Sequence, residues 1–267
     1  MAIKQDFDNA ALSFENISKV FNKNSINEVS LFDNFSLNMK QNEFLSIIGS
    51  NGSGKTSLLN ILCGSIMPDS GSVKLHGREI TKLSEHQRSS FIGRVFQNPS
   101  KGTCPHLTIL ENLALADNKG KAYDLGKGVN KNRRDYYKSQ LELLQLGLEN
   151  KVDLPVGSLS GGQRQALALL ISTMTPIDLL VLDEHTAALD PKTSEIVMEL
   201  TDKFIKEKHL TAIMVTHNLR FAMKYGNRLI LMHEGNAILD IADEEKQNYD
   251  LQNILKIFNE ISIECGN

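Results

Sequence analysis

Phe44-Leu45-Ser46-Ile47-Ile48 runs straight into Gly49-Ser50-Asn51-Gly52-Ser53-Gly54-Lys55-Thr56, and Ser57 opens an apolar stretch that reaches Met67. An apolar run, a glycine-rich loop and a helical pattern, in that order, match G-x-x-x-x-G-K-[ST] in the strand–loop–helix setting that gives the motif its meaning. The chemistry explains the spelling. Gly49, Gly52 and Gly54 let the backbone turn its N–H groups inward toward phosphate oxygens, where a Cβ would often obstruct. The following helix aims its positive end at the same anion. Lys55 reaches the β- and γ-phosphates, and Thr56 offers its hydroxyl to Mg2+. Gly49 to Ser57 therefore reads as a binding segment for a nucleoside triphosphate with magnesium.

Outward from this loop, short apolar runs at Phe44–Ile48, Leu179–Leu182, Thr211–Val215 and Arg228–Met232 read as buried strands. Helical patterns lie between them. In Thr193–Lys208 the residues Ile196, Val197, Leu200 and Phe204 recur at spacings of three and four, with charges on the other face. Strands alternating with helices predict a largely parallel α/β sheet. Two regions depart from the rhythm. Ala11 to Met39 alternates apolar and polar residues and reads as antiparallel strands, with Gly71–Gly77 a further short strand. Pro99 to Leu159 is helical and polar and reads as an inserted helical subdomain, with Gly120, Gly126 and Gly128 marking a loop in its middle.

Composition narrows the class. The 267 residues are 41% hydrophobic and 23% charged, ordinary for a globular protein with a real core. With 29 basic and 32 acidic side chains the formal charge is −3, which gives no reason to expect nucleic acid as a partner. The richest basic stretch, Lys127 to Lys138, reads as a solvated helix face. Cys63, Cys104 and Cys265 have neither pair nor metal spacing, so no disulfides are expected and Cys63 reads as a small core hydrophobe. Residues 1–10 are polar and acidic, unlike a secretory signal. Ala166–Val181, the most apolar stretch, is too interrupted to span a bilayer.

Leu179-Leu180-Val181-Leu182-Asp183-Glu184 is an apolar strand ending in two carboxylates. Beside a phosphate loop, Asp183 suits a magnesium ligand and Glu184 is placed to polarise an attacking water. Leu159-Ser160-Gly161-Gly162-Gln163 reads as a second anion site: Ser160 caps a helix beginning near Gln163, and Gly161 and Gly162 expose backbone N–H groups beside it. In this order with the other motifs, LSGGQ resembles the signature of the ABC-type ATPases, and the resemblance spans nearly the whole chain.

That resemblance implies a P-loop NTPase fold of the α/β class: a RecA-like, mostly parallel sheet with an antiparallel β-subdomain and an inserted helical subdomain. It implies one ATPase domain over residues 1–267, divided as 11–96, 97–162, 163–240 and a helical tail at 241–267. Gln97, ending the strand-like Ile92–Phe96, matches the glutamine that contacts magnesium and the attacking water. Ala188-Leu189-Asp190 matches the loop that makes Asp190 a nucleotide-contacting residue, and His217 matches the histidine on the γ-phosphate. Phe21 stands where an aromatic stacks on adenine, although Phe21 and Phe14 both suit ordinary strand positions. His185 occupies the place of the usual proline after the Asp-Glu pair, and reads as a freer turn with a titratable ring and no catalytic role.

The expected ligands are ATP and Mg2+. The expected partners are a second copy bound head to tail, integral membrane permease subunits and an extracytoplasmic solute-binding protein. The expected location is the cytoplasmic face of the cell membrane. DEHTAALDPKT resembles ATPases of bacterial uptake systems for amino acids or related small solutes, aromatic amino acids among them. The rival readings are an exporter ATPase, a soluble assembly or remodelling ATPase, and a P-loop small-molecule kinase, which leaves LSGGQ unexplained.

Overall fold

The computed structural model describes residues 10–121 and 128–264, and they form an α/β fold divided into two compact units. The first unit takes the chain as far as Arg88 and again from Thr211, and the second runs from Ser89 to Leu210. The first begins with β1 (Leu12–Phe21), β2 (Val29–Met39), β3 (Phe44–Gly49), α1 (Lys55–Cys63), β4 (Ser70–Leu75), β5 (Arg78–Glu79) and the single turn α2 (Glu85–Arg88). The second holds β6 (Ile92–Val95), α3 (Ile109–Asp117), α4 (Arg134–Glu142), α5 (Gly161–Ser172), β7 (Leu179–Asp183) and α6 (Pro191–Glu207). The chain returns to the first for β8 (Ala212–Val215), α7 (Leu219–Lys224), β9 (Arg228–His233), β10 (Asn236–Ala242), α8 (Asp243–Asn248) and α9 (Leu251–Glu264).

In the first unit, β2, β1, β4 and β5 make an antiparallel sheet in that order. Phe14 and Ile17 of β1 are wholly buried in it. The phosphate-loop strand β3 lies between β8 and β9, parallel to both, and β10 joins β9 antiparallel. All six residues of β3 are buried, which is why its sequence is nearly continuous in apolar residues rather than alternating. Helix α9 closes this unit by setting Ile254 beside Ile48, Ala222, Leu229, Leu231 and Ile241.

In the second unit β6 and β7 pair in parallel, Ile92 opposite Leu179 through Val95 opposite Leu182. The insert is helical where it is described, as expected, with α3 and α4 its longer helices. Gly126, Lys127, Cys265 and residues 1–9 lie outside the described residues. Of the basic stretch, Arg133 pairs with Asp117 at 2.7 Å and Arg134 with Asp153, so these cations are spent on their own unit. Among the described residues no helix is long and apolar enough to cross a membrane.

One boundary differs from the pattern. The apolar run predicts a helix from Ser57 to Met67, yet α1 starts at Lys55 and stops at Cys63. Gly64, at φ 84°, returns its N–H to the Asn60 and Ile61 carbonyls, a glycine cap that ends the helix while apolar residues continue.

Candidate active site

The loop after β3 folds as its glycines require. Gly52 has φ 82° with open space where a Cβ would stand, so only its backbone demands glycine. Gly49 is different, because a Cβ there would lie 2.2 Å from the Met232 carbonyl oxygen. Glycine at 49 thus serves the seating of the loop on the end of β9, beyond any phosphate it admits. Lys55 is buried inside the turn, and its Nζ donates to the Gly49 and Ser50 carbonyls at 2.8 Å each and to Ser53 Oγ at 3.3 Å. Thr56 is exposed and Ser57 half-buried on the first turn of α1. Thr108, Ser160, Asp190 and Asn218 cap α3, α5, α6 and α7 with side-chain oxygens, whereas α1 starts on Gly54 with no side-chain cap. A cation set in a ring of backbone and an uncapped helix start fit a polyphosphate.

The same unit carries Phe21 and His217. Phe14 is wholly buried in the β-subdomain, while Phe21 is half-buried at the end of β1 with the Lys19 ammonium 5.6 Å from its ring centre. The two aromatics are thereby told apart: Phe14 is core, and Phe21 is only half-buried. His217 is exposed just beyond β8, held in the turn where Asn218 starts α7.

The second unit carries the remaining candidates. Gln97 is exposed, two residues past β6. Asp183 ends β7, where its Oδ2 accepts from Arg94 Nη2 at 2.7 Å. Glu184 follows at φ 48°, a left-handed backbone that costs a side-chain-bearing residue energy and that recurs at working sites. Ser160 Oγ accepts from Gln163 N, and Gln163 Oε1 accepts from Ser160 N, both at 3.3 Å. This reciprocal box starts α5 at Gly161, two residues before the predicted start, because Ser160 itself is the cap. Asp190 caps α6 through Thr193 N at 3.1 Å, and hydrogen bonds from the Thr193 side chain first and from this N–H second hold its carboxyl below the usual range.

His185 departs from expectation. It is 2% exposed, its Nε2 lies 3.2 Å from Thr201 Oγ1, and burial lowers its pKa from 6.5 to about 4. The ring is packed and neutral at ordinary pH, so the turn is not freer for lacking proline.

A family model for ABC transporters matches residues 32–187. A tyrosine transport ATP-binding protein of Clostridioides difficile is 47% identical over 247 residues, covering 92% of this chain and 98% of that protein. The chain belongs to the ABC transporter family. A methionine import ATP-binding protein of Bartonella henselae is 32% identical, with 85% of this chain aligned to 63% of that protein. Among solved structures, a dimeric ATP-binding cassette in a post-hydrolysis state with ADP and Pi is similar at a TM-score of 0.72. It is 30% identical, and the match covers 86% of this chain and 98% of that one. This ABC protein is the ATP-hydrolysing subunit of an uptake transporter: the order of its motifs implied the ATPase, and the likeness of DEHTAALDPKT to uptake ATPases implied the direction.

Two side chains of this ABC ATPase escaped the sequence reading. Arg94 is a lone charge in the strand Ile92-Gly93-Arg94-Val95, and that isolation was the only available signal. Gln165, 1% exposed on α5, donates to the Phe96 carbonyl at 3.0 Å just before Gln97. The donors named for magnesium, a hydroxyl, an amide and a carboxylate, are the hard oxygens that ion takes. Among the described residues no cluster of three or more His, Cys, Asp or Glu side chains suits a metal.

Proposed function

We propose that this chain is a single working ATPase domain on the cytoplasmic face of a membrane, that it dimerises head to tail through ATP, and that it powers uptake of an aromatic amino acid. The observation that carries the nucleotide assignment is the loop Gly49–Thr56, with Lys55 inside it and an uncapped helix behind it. Lys55 and the backbone N–H groups hold the β- and γ-phosphates, and the half-buried Phe21 ring stacks on adenine. Thr56, Gln97 and Asp183 would hold magnesium, which would supply neutralisation of the charge that develops on the phosphates. Glu184 accepts the proton of the attacking water, and His217 contacts the γ-phosphate.

Ser160 to Gln163 and Asp190 are assigned to the nucleotide held by the other copy. Phosphoryl transfer rests on positioning and electrostatics, so dividing the contacts between two chains makes closure a condition of turnover. The dimeric cassette with ADP and Pi supports this reading. Permease subunits, with a solute-binding protein outside, complete the system. The tyrosine relative, matched along 98% of its length, supports the solute class.

The test is Glu184→Gln. The variant is expected to bind ATP with unchanged affinity, to lose turnover by about a hundredfold or more, and to accumulate as a nucleotide-bound dimer in size-exclusion chromatography. Wild-type turnover in this variant would sink the assignment. For the solute, the chain reconstituted with permease subunits that co-purify with it is expected to hydrolyse ATP faster when tyrosine and a tyrosine-binding protein are added.

A further inference from the structure

Arg94 reaches Asp183 by sheet geometry. β6 and β7 run parallel with Arg94 opposite Val181, and side chains alternate along a strand, so Asp183, two residues on, projects to the same face. The guanidinium meets the carboxylate at 2.7 Å, with the two side chains 12% and 13% exposed. So little exposure leaves the pair poorly screened by salt. Alternation also puts Phe96 on the Arg94 side, and its ring centre lies 4.7 Å from the guanidinium carbon. The stacked ring seats the cation rather than letting it sweep through solvent.

We propose that Arg94 is a positioning residue that competes with the metal for Asp183, setting how tightly the ATP-loaded protein holds magnesium. A carboxylate already shared with a seated cation attracts a second cation less, and the two positive charges repel across it. In the metal-free protein the same pair keeps Asp183 aimed along the end of β7 instead of leaving its charge half-buried alone. The proposal rests on reading Asp183 as a magnesium ligand.

The test uses Mn2+, which takes the same oxygen donors, as a paramagnetic probe. The full chain with Glu184→Gln and ATP is titrated, and free Mn2+ is followed by electron paramagnetic resonance. Arg94→Met keeps length and apolar contact with Phe96 while removing the charge, and is expected to bind Mn2+ roughly tenfold more tightly. Its melting midpoint without metal or nucleotide is expected to fall by roughly 5 °C, since Asp183 loses its partner. Arg94→Lys keeps a cation but loses the stacked planar fork, and its Mn2+ affinity should fall between those of the parent and Arg94→Met. Damage to the fold does not tighten a metal site, so equal or weaker binding in Arg94→Met overturns the proposal. If the parent holds no Mn2+ beyond what ATP alone holds, the reading of Asp183 falls and takes the proposal with it. If Arg94→Met does not fold, a tenfold change in Arg94→Lys overturns the role of charge.

Discussion

Folding takes the His185 imidazole out of water and leaves its Nε2 beside Thr201 Oγ1 at 3.2 Å, while that hydroxyl donates to the Val197 carbonyl at 2.7 Å. The hydroxyl hydrogen is committed, so the ring donates from Nε2 and is the neutral Nε2–H tautomer. Burial lowers the folded pKa from 6.5 to about 4, so the unfolded chain takes up this proton first as pH falls. The contribution is whole above pH 6.5 and is lost through the window down to pH 4, about 3 kcal/mol in all. Urea unfolding from pH 7.5 to 4 should show that loss in the wild type, and His185→Gln should remove this part of the slope. The glycines of the loop allow a second comparison. Gly49→Ala drives a Cβ into the Met232 carbonyl and should cost at least about 2 kcal/mol, whereas Gly52→Ala meets open space and should cost about 1 kcal/mol from its backbone alone. Equal melting points for the two variants would contradict this account.

Among the elements, β9 and β10 are pinned by one guanidinium. Arg228 donates to Asp240 through Nε and Nη2 at 2.7 Å each, and through Nη1 to Glu43 at 2.9 Å and the Asn38 carbonyl at 2.7 Å. Burial opposes its charge, but the two carboxylates outweigh burial and push its pKa up. Arg228→Met strands both carboxylates in a buried place and should destabilise the chain by about 3–5 kcal/mol in chemical denaturation. Helix α5 shows how a helix cap and a proposed nucleotide contact share one atom. Ser160 Oγ closes the capping box on Gln163, so Ser160→Ala should cost about 1 kcal/mol in stability in addition to any contact with nucleotide. Melting of the isolated chain reports the first loss and ATP-dependent dimerisation the second.

For the molecule as a whole, the proposed function, in which a second copy completes the site, makes turnover depend on encounter. The ATPase rate per chain should rise with protein concentration and level off once the dimer is populated. A rate per chain unchanged across a hundredfold dilution series would argue that one chain hydrolyses ATP alone. The Glu184→Gln variant should shift the same curve to lower concentration, because ATP is held and the dimer persists.

Much of this protein was legible before folding because its features are local. The loop Gly49–Thr56, the box Ser160–Gln163 and the apolar strand ending in Asp183 each depend on residues a few positions apart, where backbone geometry and spacing suffice. The end of α1 was misjudged because apolar residues run on past Gly64, and burial alone does not say where a glycine will turn the backbone. Phe14 and Phe21 looked alike in sequence, and only their places in the sheet made one core and the other half-exposed. The Arg94–Asp183 pair joins residues 89 positions apart, so it exists only through the register of β6 on β7. His185 read as a freer turn until packing closed over it. Local motifs spelled out the chemistry of the phosphate loop and carried the resemblance to the family, while burial and strand register, which no local pattern encodes, decided which charges meet and which ring stays neutral.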